Sequence, residues 1–346
     1  MLNQDLKLSP NIFDTDVEKV PTRFGYGDGV VLAGEKNSEI VVLTADLAES
    51  THSHLFEKRF PDRFAELGVA EQNMTGIAAG LALSGKIPFM ASYSVFDAGL
   101  NWLQVRTSIC YTNANVKIVG SHSGFSDGPD GATHQALEDI ALMRVLPNMT
   151  VIVPCDYEEA KKATLAAANH VGPVYLRLTR EATPHITTSH TPFEIGKAQV
   201  LMEGEHVTVI CCGPLLRSAL QVANRLDARG IRCDVINCST IKPLDSETIL
   251  KSVSKTRKVI TIEEHQISGG LGGAVAELLT EKMPVPLRRM GAKDTFGESG
   301  SYDELLEKYG LGQKAIELAI LEMNKIGGRF ATGDLSTDVP GEFKLV

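Results

Sequence analysis

Short apolar segments alternate with longer segments of helical periodicity along most of this 346-residue chain. A strand followed by a helix, repeated in this order, is typical of parallel sheets whose neighbouring strands are joined by crossover helices. The pattern occurs in two successive series, so it predicts two parallel-sheet-based α/β domains. In the first series we predict strands at 40–45, 87–92, 116–120, 150–154 and 174–178, and helices at 69–84, 98–111, 134–145 and 157–170. In the second we predict strands at 206–212, 233–237, 258–263 and 285–288, and helices at 215–228, 246–253, 273–282 and 313–325.

The polar segment 181–193, rich in Thr and His, separates the two series. Such a composition is typical of a connection between domains, and the chain is long enough for two cores. We therefore predict an N-terminal extension at 1–20, a first domain at 21–185, a linker at 186–193, a second domain at 194–326 and a loosely held tail at 327–346.

The net charge of −9 argues against nucleic-acid binding and against anionic membranes as partners. No run of about 18 apolar residues is present, so we expect no membrane span. The six cysteines form no Cys-x-x-Cys pair and fall mostly in apolar segments. They are typical of buried thiols in a reducing compartment, and we expect a cytoplasmic protein.

The segment 122–134 reads His-Ser-Gly-Phe-Ser-Asp-Gly-Pro-Asp-Gly-Ala-Thr-His and follows a predicted strand. Ligands of parallel sheets bind beyond the carboxyl ends of the strands. Imidazoles and carboxylates placed there can bind hydroxyls and phosphates or move protons near neutral pH. Asp46, Glu49 and Ser50 follow another predicted strand, and Arg180 follows a third, so we expect one polar rim. The alternative is a polar surface turn built on its two Asp-Gly pairs.

Single residues of this rim each have an ordinary structural explanation. Glu71 lies in the first turn of a predicted helix, where a carboxylate offsets the helix dipole. Tyr93 and Phe96 could be core aromatics, and Arg23 and Arg180 could be solvated charges. Their function therefore depends on whether they occur together in a recognisable pattern.

Two glycine motifs have weak signals. Gly-Asp-Gly at 27–29 resembles the start of a thiamine-diphosphate metal motif, but that motif needs an Asn about 25–30 residues later to complete an oxygen shell. Asn37 is too close and Asn73 too far, so we expect no metal ligands on this chain. The segment 269–274 resembles a dinucleotide loop but does not match its third glycine, and we interpret it as a tight strand-to-helix connection.

Four separated motifs resemble the second half of transketolase, in order and spacing, over roughly 21–320. They are Asp-Leu-Ala at 46–48, Gly-Val-Ala-Glu-Gln at 68–72, Asp-Gly-Pro-Asp-Gly-Ala-Thr-His-Gln at 127–135 and Leu-Thr-Arg at 178–180. The segments 241–245 and 263–265 are similar to the transketolase C-terminal domain. The resemblance implies a thiamine-diphosphate-binding pyrimidine domain followed by the transketolase C-terminal domain.

The part of transketolase that holds the cofactor diphosphate and its metal has no counterpart in the resemblance. The resemblance therefore implies the C-terminal subunit of a split transketolase, inactive without an N-terminal transketolase subunit that binds Mg²⁺ or Ca²⁺. Thiamine diphosphate would be shared between the two chains. Two copies of each chain would assemble, or a homodimer would form when this chain is alone.

The resemblance also assigns roles. Glu71 would hydrogen-bond the cofactor pyrimidine, and His134 would act beside it in catalysis. The residues expected to contact the cofactor are Asp46, Leu47, Glu71, Tyr93 and Phe96. Those expected to bind phosphorylated sugars are Arg23, Ser50, His122, Asp130 and Arg180. The implied reaction moves a two-carbon ketol unit from a ketose phosphate to an aldose phosphate.

Other functions remain open at this point. The β subunit of a 2-oxo-acid dehydrogenase and a deoxyxylulose-phosphate-synthase-like enzyme have related domains. A non-catalytic scaffolding subunit would keep the fold without the chemistry, and a dinucleotide-dependent oxidoreductase would depend on the 269–274 loop alone. The sequence leaves the donor and acceptor sugars, the pathway and the partner chain undetermined.

Overall fold

The computed structural model describes residues 2–326, and the expected tail at 327–346 lies outside the described residues. The strands are β1 (Lys19–Pro21), β2 (Ile40–Thr44), β3 (Phe64–Glu66), β4 (Ile87–Tyr93), β5 (Lys117–Ser121), β6 (Thr150–Ile152), β7 (Val174–Arg177), β8 (Ala182–Pro184), β9 (Gln199–Met202), β10 (Val207–Cys211), β11 (Cys233–Asn237), β12 (Thr240–Lys242), β13 (Val259–Gln266) and β14 (Leu287–Ala292). The helices are α1 (Thr22–Lys36), α2 (His54–Arg59), α3 (Glu71–Leu83), α4 (Trp102–Gln104), α5 (Asp139–Arg144), α6 (Tyr157–Asn169), α7 (Leu216–Asp227), α8 (Ser246–Thr256), α9 (Leu271–Lys282), α10 (Tyr302–Lys308) and α11 (Gln313–Lys325).

The first sheet has seven strands in the order β12-β6-β7-β5-β4-β2-β3. All neighbours run parallel except β12, which pairs antiparallel with β6. Every residue of the central strand β5 is buried, as expected for a parallel strand covered by helices on both faces. Because β12 comes from the second series of elements, the second half of the chain supplies the edge of the first sheet.

The second sheet has five strands in the order β14-β13-β10-β11-β9, and only β9 runs antiparallel to its neighbour. Leu43 and Ile118 of the first sheet share one contiguous buried cluster with Ile210 and Ile236 of the second. The prediction of two α/β domains on mainly parallel sheets is confirmed. Their cores are in contact.

The Gly-Asp-Gly motif at 27–29 lies inside α1, a helix that the sequence pattern did not predict. A Cβ on Gly25 would lie 2.2 Å from the carbonyl oxygen of Tyr157, and one on Gly29 would lie 2.9 Å from Cβ of Thr164. These glycines therefore let α1 pack closely on α6. Glycine lowers intrinsic helix propensity, which explains why the sequence pattern did not predict α1.

The 269–274 segment joins β13 to α9, and the carboxylate of Glu263 occupies the start of the helix. Its two oxygens accept from the backbone N–H of Leu271 and Gly272 at 2.7 Å each. A Cβ on Gly270 would lie 2.0 Å from that carboxylate. The helix N-terminus is already filled by an internal anion. This agrees with a tight strand-to-helix connection and opposes a dinucleotide site.

Two helices differ from the sequence pattern. The region predicted as one helix at 98–111 consists of π-helical turns at Val95–Leu100 and Val105–Cys110 on either side of α4. The helix predicted at 134–145 begins only at Asp139, because a loop continues past His134. Among residues 2–326, no helix is both long and apolar enough to cross a membrane.

Candidate active site

The predicted polar rim forms at the carboxyl ends of four adjacent strands, β7, β5, β4 and β2. Tyr93 ends β4, and His122 directly follows β5. Arg23 comes from the first turn of α1 and reaches the same place. The structure thus brings together residues that lie far apart in the sequence.

His122 is at the centre of this cluster. Its ring stacks on Tyr93 with centroids 3.9 Å apart, and its backbone φ of 57° is unusual for a residue other than glycine. The Arg23 guanidinium can only donate, so Nε2 of His122 accepts its hydrogen bond at 2.9 Å. The ring proton is then on Nδ1, which faces the Ser121 hydroxyl at 2.9 Å. Burial, followed by the charges of Arg23 and Arg180, lowers the pKa of His122 to about 3. His122 is therefore a neutral imidazole near neutral pH.

An aromatic wall continues from His122 to His134. Tyr93 and Phe96 lie nearly parallel, with centroids 6.1 Å apart. The His134 ring meets Phe96 edge-on at 5.5 Å and Tyr93 at 6.1 Å. Its Nδ1 is 2.9 Å from the Thr133 hydroxyl, which fixes one edge of the imidazole. The opposite ring nitrogen has no hydrogen-bond partner within residues 2–326 and is free to meet a ligand.

Arg23 and Arg180 form a cationic end of the site, which we call the anion-binding end. Burial, followed by the nearby charge of Arg180, lowers the pKa of Arg23. Arg180 donates from its guanidinium to Asp127 at 3.0 Å and from its backbone N–H to Ser126 at 3.1 Å. Two guanidiniums held close together suit a phosphate or sulfonate group.

Asp127 is fully buried beside the exposed Asp130. Burial and the adjacent Asp130 carboxyl raise the pKa of Asp127 to about 6. The sequence marked both aspartates as part of one loop, but it assigned a ligand-binding role to Asp130 alone. The contact between Asp127 and Arg180 depends on tertiary structure.

Glu71 is the first residue of α3, and only 6% of it is exposed. It lies near Asp97, a fully buried carboxyl that accepts from the backbone N–H of Ser92 at 3.0 Å and from Asn101 at 3.4 Å. Burial chiefly raises the pKa of Asp97 well above its usual value, and the nearby Glu71 charge adds to this. Sequence reasoning missed Asp97. The available signal was an acidic residue in the otherwise apolar run that follows Tyr93.

Asp46, Leu47 and Ser50 lie on the loop after β2, on the same rim. Asp46 has a φ of 61°, and its backbone N–H donates to Glu66 at 2.6 Å. The carbonyl of Leu47 accepts from the backbone N–H of Thr51 at 2.9 Å. Within the described residues, Ser50 makes no hydrogen bond to the two arginines or to His122.

The loop that carries these three residues is held against α1 by His52. The His52 ring stacks on Phe24 with centroids 3.9 Å apart and planes within 1° of parallel. Burial, followed by the charge of His54, lowers the pKa of His52 to about 4, so the ring packs as a neutral group. Phe24 follows Arg23 directly. The stack therefore fixes the loop and the arginine relative to each other.

A buried ion pair lies next to the loop that contains residues 122–134 and stabilises it. Arg177 donates to Asp139 at 2.7 Å, and both side chains are at most 2% exposed. The Tyr175 hydroxyl also donates to Asp139 at 2.7 Å. Arg177 further donates to the carbonyls of Ala136 at 3.1 Å and Glu264 at 2.9 Å. It thereby ties the loop to the second domain.

The Glu264 side chain makes a second tie. It accepts from the backbone N–H of Ser126 at 3.0 Å and from the Tyr302 hydroxyl at 2.6 Å. Burial raises the pKa of Glu264 to about 7. Sequence reasoning grouped the 263–265 segment with the second domain but did not connect it to the loop, because only the fold places them together.

Both halves of the chain match transketolase family profiles. Residues 18–185 match the family described as transketolase, pyrimidine binding domain. Residues 196–316 match the family described as transketolase, C-terminal domain.

Individual relatives agree. The chain is 41% identical over 313 residues to the 6-deoxy-6-sulfo-D-fructose transketolase subunit SqwH of Clostridium sp., covering 90% of this chain and 97% of that protein. It is 36% identical over 307 residues to an apulose-4-phosphate transketolase subunit of Phocaeicola vulgatus, covering 88% and 98%. A solved structure described as split gene transketolase, inactive beta4 tetramer, superposes with a TM-score of 0.83 at 45% identity, covering 88% of this chain and 98% of that one. The chain belongs to the transketolase family, with the domain content of a transketolase subunit that carries the pyrimidine-binding and C-terminal domains.

Proposed function

We propose that the chain is the C-terminal subunit of a thiamine-diphosphate-dependent transketolase. It transfers a two-carbon ketol unit from a ketose phosphate to an aldose phosphate, and it is active only with a partner chain that binds the cofactor diphosphate and Mg²⁺ or Ca²⁺. The pyrimidine-binding unit is assigned to 21–185 and the C-terminal unit to 194–326. The observation that carries this proposal is the cluster of Arg23, His122, Tyr93, Phe96 and His134 on one rim.

The residues present fit the pyrimidine ring of thiamine diphosphate. Tyr93 and Phe96 offer nearly parallel aromatic faces. Glu71, at the start of the helix that follows β3, offers a mostly buried carboxyl. The loop of Asp46 and Leu47 lies on the same rim. When bound, thiamine diphosphate supplies the nucleophilic carbon that breaks and forms the carbon–carbon bond. Glu71 would hold a proton at a pyrimidine nitrogen.

The sugar substrate would lie between the aromatic wall and the anion-binding end. His134 has one ring nitrogen free to take or return the proton of a ketose hydroxyl. Asp130 is exposed at the same loop and accepts from a substrate hydroxyl. Arg23 and Arg180 hold the terminal anionic group, His122 contributes to that end by orienting the Arg23 guanidinium through Nε2, and Ser50 adds a hydroxyl from the loop after β2.

The anionic group itself is open to two chemistries. The relatives named above act, by their names, on a sulfonated and a phosphorylated sugar. Both groups present oxygens that a guanidinium pair can bind. A ketose bearing a sulfonate is therefore the second candidate donor.

An exposed apolar face adjoins Glu71 and is the proposed contact with the partner chain. It comprises Val69, Leu100 and Leu103, which are 78%, 52% and 60% exposed. Gln72 donates to the carbonyl of Leu100 at 3.1 Å and thereby joins the two segments that carry the face. Apolar side chains grouped beside a site mark an interaction surface. We propose an assembly with two copies of each chain, and self-association through this face when the partner is absent.

Reconstitution tests the proposed function. The purified chain with thiamine diphosphate and Mg²⁺ should show no ketol transfer, and addition of the N-terminal subunit should give activity, measured as formation of the new ketose phosphate. Leu103→Asp should weaken association with that subunit at least about tenfold, because it places a charge in an apolar contact. Val171→Asp is the matched control. Val171 is 80% exposed and precedes β7, so it lies at the amino ends of the strands, away from the rim at their carboxyl ends. Pyruvate decarboxylation in place of ketol transfer would overturn the proposal.

Arg180→Ala tests the anion-binding end. Loss of a charge-assisted contact should lower kcat/KM for a phosphorylated acceptor about 10- to 100-fold. For the same acceptor without its phosphate, kcat/KM should fall less than about threefold, because this acceptor has no anionic group for the guanidinium to bind. Steady-state rates of the reconstituted enzyme give both values. An equal loss for both acceptors would remove Arg180 from anion recognition.

A further inference from the structure

Asp127 places a buried negative charge at the anion-binding end. One oxygen accepts from Arg180 at 3.0 Å, and the carboxyl also interacts with the adjacent Asp130 side chain. The side chain is fully buried, so it has no surface on which a substrate could lie. Any effect of Asp127 on the bound anionic group therefore acts without direct contact, through its charge or through the position of its neighbours Arg180 and Asp130.

The surrounding charges show why one carboxylate matters. Arg23 and Arg180 are the two cations of the anion-binding end, and His122 is neutral near neutral pH. Asp127 balances one of the two cations when it is ionised. Glu181 and Asp130 lie near these groups and add negative charge from the rim. The end is thus less positive than two arginines alone would make it.

We propose that Asp127 is a specificity-determining residue that lowers the preference of this site for dianionic phosphate esters over singly charged sulfonates and neutral sugars. The inference rests on the proposed function, because it concerns the same site. A phosphate monoester carries nearly two negative charges near neutral pH, whereas a sulfonate carries one. The electrostatic attraction between the bound group and the two arginines scales with the charge of that group. A carboxylate that offsets part of the arginine charge therefore weakens binding of the dianion more than binding of a monoanion.

Substitution can separate charge from position. Asp127→Asn keeps an oxygen that accepts from Arg180 and removes the negative charge. Asp127→Ala removes both. If the carboxylate only held Arg180 in place, the Asn variant would behave like the wild type and the Ala variant would lose phosphate preference.

The test compares kcat/KM of the reconstituted enzyme for an aldose phosphate, its sulfonate analogue and the unmodified aldose. Asp127→Asn should raise the preference for phosphate over both others about five- to tenfold at about pH 8, where the ester is a dianion. Glu205→Gln is the control, since it breaks an exposed ion pair with Arg232 in the second domain and should leave the ratios at the wild-type values. An unchanged or reduced preference in Asp127→Asn overturns the inference.

Direct binding distinguishes this inference from the proposed function, because it needs no turnover. Inorganic phosphate and methanesulfonate are each titrated onto the wild-type and Asp127→Asn assemblies, and their binding is followed by NMR at about pH 8. The Asn variant should bind phosphate more tightly while methanesulfonate changes less, and an equal change for both anions overturns the inference. Absence of ketol transfer in the wild-type assembly would instead overturn the proposed function.

Discussion

Replacing Glu71 with Gln should lower ketol transfer by the reconstituted enzyme about a thousandfold, in the range expected for loss of a general acid–base group. Gln has almost the same shape as Glu and can occupy the same mostly buried place at the start of α3. It cannot hold and release a proton at a pyrimidine nitrogen. The loss should therefore appear in kcat, measured with saturating cofactor and both sugars.

The matched control for this substitution is Glu49→Gln. Glu49 is an exposed carboxylate on the loop after β2, on the same rim. The Glu49→Gln enzyme should keep the wild-type rate within about a factor of two. The charge of an exposed side chain is screened by solvent and salt, so it contributes little to the electrostatic potential at the site. A Glu71→Gln enzyme with near wild-type turnover, or a crystal of the assembly with this carboxyl turned away from the coenzyme, would contradict the assignment.

Replacing Asp139 with Asn should destabilise the chain by about 3–5 kcal/mol. The substitution leaves the Arg177 guanidinium buried without its counter-ion. It also weakens the acceptor of the Tyr175 hydroxyl. The free energy of unfolding from urea titration, followed by circular dichroism, measures the effect.

Glu277→Gln provides the comparison, because Glu277 pairs with Arg144 at the surface. That pair should contribute no more than about 1 kcal/mol. The double substitution Asp139→Asn with Arg177→Met should recover part of the loss, since it removes the uncompensated charge. Similar effects for Asp139→Asn and Glu277→Gln would show that the buried pair does not stabilise the loop as described.

The sheets were predictable because alternating strands and helices have few other solutions. Strands such as β11 and helices such as α11 were predicted at their observed bounds. α1 was missed because its glycines oppose local helix formation, and only packing on α6 offsets this cost. The late start of α5 was missed because the polar loop continues past His134.

The rim was predictable for a different reason. Its residues follow strands, and the carboxyl ends of parallel strands meet at one edge, so His122 and Arg180 could be placed near each other. Two supporting carboxyls were not predictable, because Asp127 and Glu264 contact Arg180 and Ser126, which are distant from them in sequence. Asp97 contacts residues close to it in sequence, and its local signal, an acidic residue in an apolar run, was missed.

The edge strand β12 has a consequence for any attempt to divide this chain. It caps β6 from the other side of the 186–193 segment, pairing Thr240 with Ile152 and Lys242 with Val151. A fragment that ends before this strand would leave the outer backbone N–H and C=O groups of β6 unpaired. Exposed edge strands of this kind promote aggregation. Because one sheet contains strands from both halves of the chain, we expect neither half to fold into a stable, soluble domain when it is expressed alone.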